Sequence, residues 1–153
     1  MNHNAKRLLS ALVSLCMLAG LLAPAVCAEG EETITMQIAT ADQLVALAKD
    51  CRLDSWSRGR TVELTADIDL TGTGFSGIPT FGGTLEGGGH TITGLTLSEE
   101  GSVQGLFRYL QQDALVQNLQ VSGTVQPGGS RAQVGGLVGE NAGTIQNLSL
   151  IHI

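Results

Sequence analysis

From residue 33 onward, apolar and polar positions alternate in short runs separated by glycine. Thr33-Ile34-Thr35-Met36-Gln37-Ile38 has the period of two expected of a half-buried strand. Thr40 and Gln43 then stand at capping-box spacing, and Leu44, Val45, Leu47, Ala48 and Cys51 form one apolar face at helical spacing. This pattern predicts a helix over 41–50. A polar connection follows from Arg52 to Arg60, with Trp56 and Gly59 in it. Alternation returns at Val62 to Leu70, with Val62, Leu64, Ile68 and Leu70 as candidate core residues.

Beyond residue 70 the segments repeat. His90-Thr-Ile-Thr-Gly-Leu-Thr-Leu97 aligns with Leu115-Val-Gln-Asn-Leu-Gln-Val121, and both align with Thr144-Ile-Gln-Asn-Leu-Ser-Leu150. Ile92, Val116 and Ile145 fall in register, at offsets of 24 and 29, as do Leu95, Leu119 and Leu148. A second repeat, Gly105-Leu-Phe107 and Gly136-Leu-Val138, precedes each Gln-Asn-Leu triplet. A period in the twenties made of short strands and glycine turns is the mark of a solenoid. Helical repeats lack this strand texture, and the longer leucine pattern of leucine-rich repeats is missing. The fold class expected is all-β, a parallel β-helix. Ile92, Leu95, Val116, Leu119 and Ile145 should point inward. Asn118 and Asn147 should stack in an amide ladder at a turn, with Gly94 in the equivalent place one coil earlier. Glycine-rich turns should be exposed.

Composition agrees. The chain has 153 residues and 21 glycines, 18 of them between Gly72 and Gly143, with apolar residues in fixed relation to them, unlike a flexible linker. Only five aromatic residues occur, Trp56, Phe75, Phe81, Phe107 and Tyr109, which suits a narrow interior. The mature chain, defined below, has the length of one domain.

The first residues read differently. Lys6 and Arg7 precede an uncharged, mostly apolar run from Leu8 to Leu22, and Pro24-Ala25-Val26-Cys27-Ala28 offers small residues for cleavage after Ala28. Residues 1–28 are therefore expected to be a secretory signal peptide. An uncleaved anchor is disfavoured because the strongly apolar run is short and Pro24 breaks it. Acylation of Cys27 is disfavoured by Pro24 and Val26, which stand where a leucine and a small residue are wanted. Cleavage would remove Cys16 and Cys27 and leave Cys51 alone, so no internal disulfide is expected and Cys51 reads as a small buried residue. It would also remove Lys6 and Arg7, leaving six basic against 14 acidic residues and a net charge of −8. That balance argues against nucleic acid and against anionic membrane surfaces as partners. Membrane association is expected only through the signal segment or a downstream anchor.

Four motifs in order carry a family resemblance: Val62-Glu-Leu-Thr-Ala-Asp-Ile-Asp-Leu70; Phe81-Gly-Gly-Thr-Leu-Glu-Gly-Gly-Gly-His-Thr-Ile92; Gly105-Leu-Phe107; and Val134-Gly-Gly-Leu-Val-Gly-Glu-Asn-Ala-Gly-Thr-Ile-Gln-Asn147. Over about residues 33–147 the chain resembles bacterial surface proteins with GLUG-type repeats, similar to the β-helical stretches of adhesins and of some surface peptidases. The resemblance implies a right-handed parallel β-helix, its N-terminal end covered by the helix at 41–50. It also implies a non-catalytic part of a longer secreted or cell-surface protein, serving adhesion, display or spacing, with a host or cell-surface glycan or protein as ligand. Residues 29–59 would be the N-terminal strand and capping helix, and 60–147 the coils.

The chemistry-bearing residues have structural readings. Asp67 and Asp69 stand at i, i+2, where two carboxylates could hold calcium or act as acid and base, but a solvated strand face explains them. His90 follows three glycines, and is expected to be a turn histidine bonded to its own backbone. No His-Glu-x-x-His zinc motif occurs, and no Lys-Ser or Lys-Thr follows Gly82 to Gly89 to make a phosphate loop. Trp56 and Tyr109 could stack on carbohydrate, though a packing lid is the simpler role. A β-helical polysaccharide lyase would need several acidic calcium ligands and a basic catalyst. Only Arg108 and Arg131 lie in the repeat region, neither at a spacing that points to Asp67. No catalytic, metal or cofactor residues are expected. A polysaccharide-acting enzyme and the non-catalytic region of a larger surface peptidase remain the alternatives. Ligand-recognising loops are expected at Phe75 to Thr80 and Gln126 to Ala132.

The end of the chain breaks the pattern. After Leu150, Ile151-His152-Ile153 breaks both alternation and repeat, and Leu148-Ser-Leu-Ile-His-Ile153 resembles one reading frame of a transposon-end sequencing adaptor, while the competing reading is a real strand in which Leu148 and Leu150 fit the column. Residues 148–153 are therefore expected to be read-through on a truncated gene, with the β-helix incomplete at the C-terminus.

Overall fold

A computed structural model of the chain describes residues 34–98, 103–126 and 133–151. Residues 1–28, the expected signal peptide, lie outside that set, as do most of the loop from Gln126 to Ala132, Arg131 with it, and His152 and Ile153.

The described residues form a parallel β-solenoid with one short helix. In chain order the elements are β1 (Ile34–Ile38), α1 (Ala41–Asp50), β2 (Arg60–Leu64), β3 (Ile68–Asp69), β4 (Ile78–Phe81), β5 (Thr84–Glu86), β6 (Thr91–Leu97), β7 (Val103–Gln104), β8 (Phe107–Leu110), β9 (Leu115–Val125), β10 (Gln133–Val134), β11 (Val138–Asn141) and β12 (Thr144–Ile151). Paired strands run parallel throughout and come from successive coils. The largest sheet joins β1, β2, β5, β9, β6 and β3 in that order, with β12 on β9. A second sheet has the order β11-β8-β4, and β10 pairs with β7.

Because parallel pairing puts equivalent residues above one another, alternation along each strand becomes columns across coils. Met36, Val62, Leu85, Val116 and Ile145 form one inward column. Val62, Leu85 and Val116 are completely buried, and Met36 and Ile145 pack against the core at its ends. On the outer face the same strands align Gln37, Glu63, Glu86, Gln117 and Gln146. Phe81 and Phe107 sit on neighbouring strands with ring centroids 5.2 Å apart and supply the largest buried rings.

The helix forms where its capping signals place it. Thr40 Oγ1 accepts from the Gln43 amide, and Gln43 Oε1 accepts from the Thr40 and Ala39 amides. Leu44 and Leu47 are buried, and α1 packs on β4, the outermost strand of its sheet. Cys51 closes the helix as its C-cap and is fully buried, as expected. The connection after it is anchored by Ser57, whose buried hydroxyl accepts from the Gly82 amide at 2.9 Å. Trp56 packs against the core as a lid, with the Arg60 guanidinium 4.6 Å from its ring centroid.

Several expectations need correction. Ile92 does not stack on Val116 but on Val121, and Leu95 stacks on Gly123. Val116 lies on Leu85 instead. The cause is a corner of variable length. Between the pairs Glu86–Gln117 and Thr91–Gln120, one coil spends residues 87–90 where the next spends only 118–119. The spacing of stacked residues is 29 for Ile92 and Val121, the same as for Val116 and Ile145. Accordingly the counterpart of Asn118 one coil earlier is the Gly87–Gly89 corner and not Gly94; the Gly89 amide donates to the Asn118 carbonyl. Nor are the glycines uniformly exposed. Gly82, Gly83, Gly87 and Gly105 are buried, and a Cβ on Gly87 would collide with the Asn118 carbonyl oxygen. Phe75 to Thr80 is not a projecting loop but part of the solenoid wall: Phe75 is buried and β4 begins at Ile78. A phenylalanine after Gly-Thr-Gly reads as a turn locally, but here it closes the solenoid interior. Apart from these corrections, β12 pairs in register with β9 through Ile151, with Leu148 on Leu119 and Leu150 on Val121.

Candidate functional site

Two polar corners and one groove hold the chemistry of the described residues. The first corner is built on Asp67. Its Oδ1 accepts from the Thr91 amide at 2.8 Å and lies 3.4 Å from His90 Nδ1. These contacts, the Thr91 amide foremost, hold the Asp67 carboxyl below the ordinary carboxylate range. The His90 imidazole thus faces the carboxylate of the previous coil and not its own backbone, a correction to the turn-histidine reading; only its amide closes the turn, onto the Gly87 carbonyl. Asp69 faces a different partner. Its Oδ1 accepts from the Thr71 hydroxyl and amide at 2.6 and 2.9 Å, which lowers its pKa as well. The two carboxylates therefore serve separate turns, and both are exposed.

The second corner is a ladder. Glu86 Oε1 accepts from the Asn118 side-chain amide at 2.8 Å and from the Gly88 amide at 3.0 Å, and its Oε2 accepts from Gln117 at 2.7 Å. Asn147 continues the column onto Asn118. Donors satisfy Glu86, Asn118 first, and its pKa is lowered. Both asparagines have positive φ, 54° for Asn118 and 47° for Asn147, so each turns the strand where glycine would otherwise be needed. Among the described residues no three metal-ligating side chains converge.

The groove lies along residues 74–79, between β3 and β4. On one side a recess of about 140 Å³ is lined by Val45, Ala48, Lys49 and Arg52 from the end of α1 and its exit, and by Gly77 and Pro79 opposite. On the other side a recess of about 150 Å³ is lined by Thr96, Ser98, Gln104 and Arg108. A third, of about 300 Å³, reaches Leu70, Gly72 and Gly94. All three share Gly74 and Phe75. Arg108 is fixed across the groove by Nε and Nη2, which donate to the Ser76 carbonyl at 3.0 and 2.8 Å. Tyr109, the other candidate stacking residue, is exposed on β8 and lines none of these recesses.

Lys49 and Arg52 were not singled out in the sequence, although they stand three apart at a helix end in an acidic chain. Nothing local brings that helix end to residues 74–79; the packing of α1 on β4 does so.

No family model matches this chain, and no solved structure matches it. Over 97 residues, 58% of this chain, it is 37% identical to a protein of Evansella cellulosilytica whose given name describes a Gly-rich membrane protein, covering 11% of that protein. Over 112 residues, 62% of this chain, it is 31% identical to the halomucin of Haloquadratum walsbyi, covering 1% of it. The chain is thus similar to small portions of much longer proteins, one named for a membrane and one for a mucin.

Proposed function

We propose that this chain is a non-catalytic β-solenoid segment of a secreted or cell-surface bacterial protein, of the kind that carries GLUG-type repeats, and that it serves adhesion, display or spacing. The observation that carries the reading is the unbroken set of columns from β1 to β12. Columns of this kind make each coil a platform for the next, so the stack forms a stiff support with its polar face outward. The similarity to a Gly-rich membrane protein and to halomucin supports a place at the surface. The basic start, apolar run and small residues of 1–28 support export.

Expression of the chain with a C-terminal tag in a bacterial host tests this. Edman sequencing of the exported form should begin at Glu29, and the tag should be removed by protease added to intact cells or be found in the medium. Retention of the full-length chain inside the cell would overturn the reading.

A further inference from the structure

The cationic end of the groove, at Lys49 and Arg52 beside α1, is not committed to the packing around it. Five lysines and arginines fall among the described residues. Arg58 donates to Gln111, Arg60 lies on Trp56, and Arg108 is fixed on the Ser76 carbonyl. Lys49 and Arg52 have no side-chain hydrogen bond or ion pair to any described residue, and both line the same recess. In a chain of net charge −6, two uncommitted cations on one concavity mark it as a place for negative charge.

We propose that this groove binds an acidic polysaccharide, with a carboxylate of one uronic-acid unit held by Lys49 and Arg52 and neighbouring sugar hydroxyls held around the segment 74–76. The proposal rests on the surface reading above and names the ligand class for that surface. The shape favours a polymer over a small molecule. Three modest recesses sharing Gly74 and Phe75 make a track and not one enclosing pocket, whereas small-molecule sites bury most of their ligand in a single cavity. The chemistry along the track favours sugar over an acidic peptide. Beyond the cations it is lined by Ser76, Thr96 and Ser98, whose hydroxyl groups match a polyol. Val45, Ala48 and Pro79 supply an apolar wall for the carbon face of a pyranose. Lys49 in the last turn of α1 and Arg52 just beyond its C-cap line the same recess.

Binding of the full chain to polygalacturonate oligomers, dextran and poly-glutamate, measured by calorimetry at low and physiological salt, tests the proposal. Polygalacturonate should bind, dextran should not, and added salt should weaken the affinity. The Lys49→Glu, Arg52→Glu double variant should lose at least tenfold in affinity, and Lys49→Ala, Arg52→Ala should lose less. Arg58→Gln, outside the groove, should bind as the parent does. Thermal melts accompany each variant, and the exposed heads of Lys49 and Arg52 should leave them unchanged. Equal binding of dextran, preference for poly-glutamate, absence of binding, or an undiminished affinity in the double variant would overturn it. Because binding is measured on purified protein, its failure is distinct from failure of surface localisation.

Discussion

The Asn147 side-chain amide donates to the Asn118 side-chain oxygen at 3.1 Å, one coil to the next, and Asn118 in turn donates to Glu86 at 2.8 Å. The ladder thus begins on a carboxylate and passes through two left-handed corners. Asn118→Gly keeps the backbone conformation and loses both side-chain bonds. It should cost about 1–2 kcal/mol in urea denaturation. Asn118→Leu loses the same bonds and adds a left-handed β-carbon strain of roughly 1–2 kcal/mol, so it should be the less stable of the pair. Equal stability of the two would show that the corner, and not the side chain, is free to relax.

The carboxylates of the corners add an acid-sensitive contribution to stability. Asp67, Asp69 and Glu86 all have folded-state pKa values below their ordinary ones, through the Thr91 amide, the Thr71 hydroxyl and the Asn118 amide respectively. A depressed pKa contributes stability that is present above the unfolded-state value and lost as pH falls through the folded-state value. Stability should therefore be flat from neutral pH down to about pH 5, and decline below about pH 4. In Glu86→Gln the decline should be shallower. Denaturant midpoints measured across that range check it, and a midpoint that rises on acidification would contradict the assigned bonds.

Helix-capping and strand-alternation signals were legible in the sequence, and cross-coil signals only partly so. The Thr40–Gln43 box fixed the start of α1, because capping depends on residues within one turn. The period-two run at Val62 to Leu70 identified four residues that are all buried. The register of Ile92 was misread because Thr-Ile-Thr and Leu-Val-Gln alternate alike, and alternation alone does not say how many residues a corner consumes. Asn118 and Asn147 were paired correctly because both corners have the same length and the same Gln-Asn-Leu triplet. The groove was illegible for a different reason. Lys49 and Pro79 are 30 positions apart, and only the docking of α1 on β4 makes them neighbours.

Leu119 tests the column directly. It is completely buried, stacks under Leu148 and follows the Asn118 corner. Leu119→Ala should cost about 2–5 kcal/mol, as for other large-to-small changes in packed cores. Leu119→Asp buries a charge with no partner in a narrow interior and should abolish folding at room temperature. A cooperative melt for the aspartate variant within a few degrees of the parent would mean that Leu119 is not inside.

Cys51 reports on the integrity of the helix end. Burial pushes its thiol up to about 12, with the Asp50 carboxylate adding to the effect and the Ser57 contact opposing it. The nucleophile in thiol chemistry is the thiolate, so Cys51 should be almost wholly protonated and unreactive near neutral pH. The measurement uses the full chain carrying Cys16→Ser and Cys27→Ser, so that Cys51 alone is read. Iodoacetamide at pH 8 should label it very slowly under native conditions and fully in denaturant. Ser57 ties the same region to the Gly82 amide, so Ser57→Ala should loosen the connection after α1 and raise the native labelling rate. A labelling rate that matches the denatured chain without any substitution would show that the α1 C-cap is open, and that the groove beside Lys49 and Arg52 is not a fixed feature of the surface.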